Sequence, residues 1–168
     1  MDLPKRKPNR LPDFDYSTPG AYFITICTEA RQCTLGHIVG GGDLDAPTVH
    51  LSRIGKIVRQ NIELSNQISH IQVDKYVIMP NHIHLILLVD PMYTSGTSKS
   101  PSPTNATIPH FISTLKRFCH KEAGSKLFQR SYHDHVIRGE KDYQKIWQYI
   151  DNNPANWAND CFYKEETL

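Results

Sequence analysis

Four residues of this chain carry the types and spacing that could do chemistry together. His82 and His84 form an H-x-H pair inside the run YVIMPNHIHLILLVD, residues 76–90. In an extended strand, side chains two apart share a face, so the two imidazoles stand side by side. Ile83, Leu85, Leu87 and Val89 point the other way. A pair of imidazoles on a rigid, apolar strand is half of a metal site; it is equally what two polar residues on a solvated sheet face look like. Tyr149 and Asn153 lie near the C-terminus in DYQKIWQYIDNNP, one helical turn apart. A tyrosine off the apolar stripe of a helix is free to act as a nucleophile, or is an ordinary boundary tyrosine. Asn153, placed before Pro154, could equally cap a following turn. A second H-x-H, His133-Asp134-His135, has a charged residue at its centre. That suits a sheet edge, and the pair reads as structural or substrate-lining.

These residues need elements to hold them. Ala21–Thr28 is aromatic and β-branched, hence a strand. Residues 36–42 hold three consecutive glycines and read as a turn that could close a hairpin. Leu51, Ile54, Ile57, Val58 and Ile62 follow helical spacing over residues 51–68. Residues 71–79 form a strand, and Pro80-Asn81 turns it into the histidine strand. Residues 109–123 form a helix with Phe111, Ile112, Leu115 and Phe118 on its apolar face. Residues 131–138 form a strand, and residues 140–152 a final helix. On that helix, at about 100° per residue, Tyr143, Ile146, Trp147 and Ile150 cluster as the core stripe, with Tyr149 on its flank. The order predicts an α+β, ferredoxin-like (RRM-like) antiparallel sheet with helices mainly on one face.

At 168 residues the chain fits one domain. Residues 1–20 read as a basic arm, and residues 91–107, rich in Ser, Thr and Pro, as a flexible internal linker. The net charge is only +2, which excludes a general polycation, but charge is local. Lys5, Arg6, Lys7 and Arg10 outweigh Asp2, and Lys116, Arg117, Lys121, Lys126 and Arg130 outweigh Glu122. Both patches suit a phosphate backbone, and both also suit plain solvated faces. The four cysteines form no C-x-x-C pair, and no run has transmembrane length. A cytoplasmic setting with free thiols follows. Walker, G-x-S-x-G, G-x-G-x-x-G and H-E-x-x-H signatures are missing.

The segments RLPDFDYSTPGAYFITICT, YVIMPNHIHLILLV and FQRSYHDHVIRGEKDYQKIWQYIDNNPANW together resemble the REP-associated tyrosine transposases, within the single-tyrosine HUH transposases. The resemblance covers most of the chain outside the linker. It implies a single HUH domain that cleaves and rejoins single-stranded DNA at palindromic REP-like hairpins through a 5′-phosphotyrosine. It places the paired metal histidines on His82 and His84, the nucleophile on Tyr149, and the third metal-side position on Asn153. It implies Mg²⁺ or Mn²⁺ as the cation, hairpin DNA as the partner, no membrane, a monomer or homodimer, and a nucleoid-associated location. Lys5, Arg6, Lys7, Arg10, Lys116, Arg117 and Lys121 are then the candidate DNA contacts. A hairpin-binding protein without catalysis and a replication-initiator nickase are the alternative readings.

Overall fold

The computed structural model of the chain describes residues 14–41, 46–68, 71–90 and 107–164. Lys5, Arg6, Lys7 and Arg10 lie outside the described residues, as does the linker up to residue 106.

Four strands form one antiparallel sheet: β1 (Gly20–Cys27), β4 (Ile71–Ile78), β5 (His82–Val89) and β6 (His133–Ile137), in the order β4-β5-β1-β6. The two strands between β1 and β4, β2 (Gly36–Val39) and β3 (Thr48–Leu51), pair with each other in a second, two-stranded sheet. Three helices complete the fold: α1 (Arg53–Ile68), α2 (Thr107–Ala123) and α3 (Glu140–Asn152). This is the predicted ferredoxin-like layout, with one hairpin added.

Alternation sorts the sheet into two faces. Tyr22, Ile24, Ile26, Ile83, Leu85 and Leu87 join Val58 and Ile62 of α1, and Ile112 and Leu115 of α2, in the larger core. On the other face, Ile86 packs with Ile146 and Ile150 of α3, and Phe23, Val77, Leu88 and Ile137 surround them. Two helices therefore cover one face and α3 covers the other. Because His82 and His84 share the phase of Ile86, they lie on the α3 face.

Several sequence expectations shift in detail. The glycine-rich stretch is strand before it is turn: Gly36–Val39 pairs with Thr48–Leu51, and Gly40 and Gly41 adopt positive φ. The first helix starts at Arg53 rather than Leu51, because Ser52 caps it. The Ser52 hydroxyl accepts from Gly55 N–H at 3.0 Å. Gly55 is required there, since a Cβ would sit 2.0 Å from the Leu35 carbonyl oxygen. On α2 the buried stripe runs through Cys119, while Phe118 is 42% exposed beneath the Arg117 guanidinium. On α3 the buried positions narrow to Ile146 and Ile150. Trp147 projects past the β4 edge, where the Lys75 ammonium lies 3.1 Å above its ring and bonds Asp151.

Candidate active site

β5 carries His82 and His84 in the centre of the sheet, 0% and 1% exposed. Their Nε2 atoms are 3.0 Å apart. What aims them is the chemistry at the opposite nitrogens. The Asn81 amide donates to the carbonyls of Phe162 at 2.8 Å and Arg31 at 3.3 Å. That turns Asn81 Oδ1 toward His82 Nδ1, 2.9 Å away, so His82 carries its proton on Nδ1 and presents a lone pair at Nε2. The Thr25 hydroxyl holds His84 Nδ1 at 2.8 Å, and Thr25 is the residue of β1 directly opposite His84.

The Pro80-Asn81 turn makes this possible. Met79 N–H donates to the His82 carbonyl at 2.8 Å, closing a tight hairpin between β4 and β5. Asn81 O accepts from Thr28 N–H at 2.9 Å. The hairpin end is thereby tied to β1, and the amide of Asn81 is buried beside the imidazole it orients.

α3 brings the second half. Tyr149 Oη stands 3.4 Å from His84 Nε2, and its ring is edge-on to Phe23 at 6.1 Å. One turn later Asn153, 1% exposed, donates from Nδ2 to Asp160 Oδ2 at 2.8 Å. Asn153 Oδ1 is buried with no hydrogen-bond partner, which is costly unless something binds it.

Asp160 is the residue the sequence reading missed. It follows the short 3-10 turn Trp157–Asn159. Its Oδ2 also accepts from the Tyr149 hydroxyl at 3.3 Å, and its Oδ1 from Phe162 N–H at 2.7 Å. Ligand atoms of His82, His84 and Asp160 all lie within 4.8 Å of one another, close enough to hold one cation. A single aspartate in an irregular segment carries no periodicity and no spacing motif, so only the folded chain assigns it. The same segment walls the site: the Phe162 ring lies 4.8 Å and the Trp157 ring 6.0 Å from the His82 ring, and the Arg31 guanidinium covers Phe162.

Burial sets the protonation. It pulls the His82 imidazole down to about 4 against the pull of the Asp160 carboxylate. Burial, and then the neighbouring His82, hold His84 well below the usual imidazole range. Both rings are thus neutral at pH 7, the form that ligates metal. Burial, followed by the Asp160 charge, pushes the Tyr149 phenol up. The donor set of two imidazole nitrogens, a carboxylate and the orphaned Asn153 oxygen suits Mn²⁺ or Mg²⁺.

The remaining sequence candidates sit apart. β6 is an edge strand, and His135 on it pairs with Asp142 at 2.8 Å. His133 faces the site side, in register with Thr25, with its ring 6.1 Å from Phe162. Arg117 and Lys121 are exposed on α2. Lys116 is turned inward, 8% exposed, with its ammonium donating to the carbonyls of Gln129, Arg130 and Ser131 at 2.8–3.3 Å. All three of its donors are occupied within the chain. No helix among the described residues is long and apolar enough to cross a membrane.

No protein-family model matches the chain. A protein of Haemophilus influenzae, described as uncharacterized, is 32% identical over 173 aligned positions, covering 94% of this chain and 93% of that one. Among solved structures, a REP-associated tyrosine transposase bound to a REP hairpin superposes with a TM-score of 0.59. The match covers 93% of this chain and 74% of that one, at 18% identity. The chain therefore belongs to one family with the Haemophilus influenzae protein and has the fold of a REP-associated tyrosine transposase.

Proposed function

We propose that the chain is a transposase-type enzyme that cleaves and rejoins single-stranded DNA at hairpin elements, with Tyr149 as nucleophile. One observation carries this reading: a tyrosine hydroxyl lies 3.4 Å from His84 Nε2 and 3.3 Å from Asp160 Oδ2, two members of the His82, His84 and Asp160 cluster. Structural tyrosines do not need that company. The REP hairpin in the transposase of the same fold supports the choice of DNA substrate.

His82, His84 and Asp160 would hold a divalent cation, and Asn153 Oδ1 would complete the protein's donor set. A bound Mg²⁺ or Mn²⁺ would supply charge to polarise a non-bridging phosphate oxygen and to offset the negative charge built up during attack. The chain's own groups do the rest. Tyr149, on a helix packed to the sheet through Ile146 and Ile150, would approach the phosphorus in line. Its phenolic proton has a receiver already in place in Asp160 Oδ2. The Tyr149 oxygen forms a bond to phosphorus and the DNA 3′-oxygen leaves, taking up a proton as a 3′-hydroxyl. The resulting 5′-phosphotyrosine keeps the energy of the phosphodiester, so attack by another 3′-hydroxyl reverses the step and joins strands. No nucleotide triphosphate is required, in keeping with a sequence that lacks a Walker loop.

The test is a single-stranded hairpin oligonucleotide incubated with the protein and Mn²⁺, then run on a denaturing gel. A covalent protein–DNA adduct is expected, and EDTA should prevent it. Binding without any adduct, with either cation, would leave a hairpin-binding protein and remove the catalytic reading.

A further inference from the structure

On the opposite face of the sheet from Tyr149, a groove of about 400 Å³ opens between α2 and residues 129–132. Pro109 and Ile112 form its apolar floor, and Lys116, Arg117, His120 and Arg130 line it. No acidic side chain lines it. Among the described residues no carboxylate pairs with Lys116, Arg117 or Arg130. A cationic recess with no acidic side chain in its lining attracts an anion. The buried Lys116 ammonium stiffens one wall, because it grips three successive carbonyls of residues 129–131. His120 Nε2 accepts from Phe128 N–H at 3.2 Å, which leaves Nδ1–H as a further donor. Beside the groove, the exposed Phe118 ring lies under the Arg117 guanidinium at 5.3 Å, a flat surface on which a base can stack.

Charge alone would suit any anion. The apolar floor, the exposed aromatic and a volume at the low end for small ligands together fit a nucleotide better than a bare phosphate. We propose that this groove seats one unpaired nucleotide of a single-stranded DNA, its phosphate against Arg117 and Arg130 and its base over Pro109 and Ile112. The wall formed by residues 129–132 runs directly into β6, whose first residue, His133, lies on the Tyr149 face in register with Thr25 and His84. A strand anchored in the groove is thereby led round the β6 edge toward the cleavage site. The inference rests on the reading of the chain as a DNA-acting protein.

The experiment uses the full chain in EDTA, with fluorescein-labelled octathymidylate followed by anisotropy across a salt series. The double variant Arg117→Gln/Arg130→Gln should raise Kd roughly tenfold and flatten the salt dependence. Ser113→Trp, which fills the groove without changing charge, should weaken binding as much. Full affinity in the arginine variant, or in Ser113→Trp, would overturn the proposal, the latter by showing binding through diffuse surface charge. Displacement of the oligonucleotide by inorganic phosphate at low millimolar concentration would overturn it too, leaving a simple anion pocket. The hairpin adduct assay separates the two readings. Groove-dependent binding with no adduct removes the nuclease and keeps the groove, whereas an adduct with groove-independent binding does the reverse.

Discussion

Tyr149 Oη lies 3.4 Å from Nε2 of His84, a residue 65 positions earlier in the chain. The distance is set by three independent features. β5 is central and buried, so His84 cannot move. α3 packs across the same sheet face through Ile146 and Ile150, so the flank of the helix meets the imidazoles. The Thr25 hydroxyl holds the far side of the His84 ring. A tyrosine placed this way, 42% exposed, stands between the candidate metal site and solvent.

Tyr149→Phe removes one oxygen and keeps the ring. Its two hydroxyl contacts are long, 3.3 and 3.4 Å, so stability should change by less than about 0.5 kcal/mol. The phosphotyrosine adduct should vanish while hairpin binding persists. Tyr143→Phe is the control on the same helix: its hydroxyl donates to Asp74 at the β4 bulge, away from the histidines. That variant should form adduct normally. Adduct formation by Tyr149→Phe, measured on a denaturing gel, would rule out the single-tyrosine mechanism.

His82→Ala and His84→Ala should each abolish cleavage, because each removes one of few ligand atoms. Isothermal titration with Mn²⁺ should show the loss directly, independently of DNA. Asn81→Leu is the subtler case. It keeps both imidazoles but removes the acceptor at 2.9 Å that fixes the proton on His82 Nδ1, and should weaken Mn²⁺ binding by about 10- to 100-fold. Unchanged titration curves in all three variants would make the histidines structural.

Much of this site was legible because strands and helices are periodic. Period two put His82 and His84 on one face and Ile83, Leu85, Leu87 and Val89 on the other, and period 3.6 separated Tyr149 from the core stripe. Periodicity failed where a helix face met a boundary. Phe118 and Trp147 are apolar by type, but one lies under Arg117 and the other under Lys75 at the sheet margin. Charge type does not show what Lys116 does inside the fold, where its ammonium donates to three successive backbone carbonyls. Asp160 was invisible because it lies in irregular chain, positioned only by its bonds to Asn153 and Phe162 N–H.

Lys116→Met tests the bonds of the Lys116 ammonium. The change strips three backbone carbonyls of their shared donor, at a cost of about 2 kcal/mol at pH 7. Burial holds the Lys116 amine down at about 8, below its ordinary 10.5. Between those values the unfolded chain binds more protons than the folded one, so stability contributed by this group rises with pH. The gap between wild type and variant should therefore widen from pH 7 to pH 9.5, read from urea midpoints. A gap that narrows over that range would show that Lys116 is not a desolvated ammonium in the native state.

Asp160→Asn is the sharpest test of the site itself. It keeps the shape of the side chain and an oxygen within reach of the Tyr149 hydroxyl, but removes the only carboxylate grouped with the two histidines among the described residues. If that carboxylate is a ligand, Mn²⁺ affinity should fall about 100-fold, and cleavage with it. Its charge is also the second cause, after burial, of the raised Tyr149 phenol. Ultraviolet titration without metal should then show the Tyr149 phenol ionising at lower pH in Asp160→Asn, the signal assigned by subtracting the same variant carrying Tyr149→Phe. A cation bound as tightly by Asp160→Asn as by wild type, with that phenol unshifted, would exclude Asp160 from the site and return the third ligand position to Asn153, whose buried Oδ1 has no hydrogen-bond partner of its own.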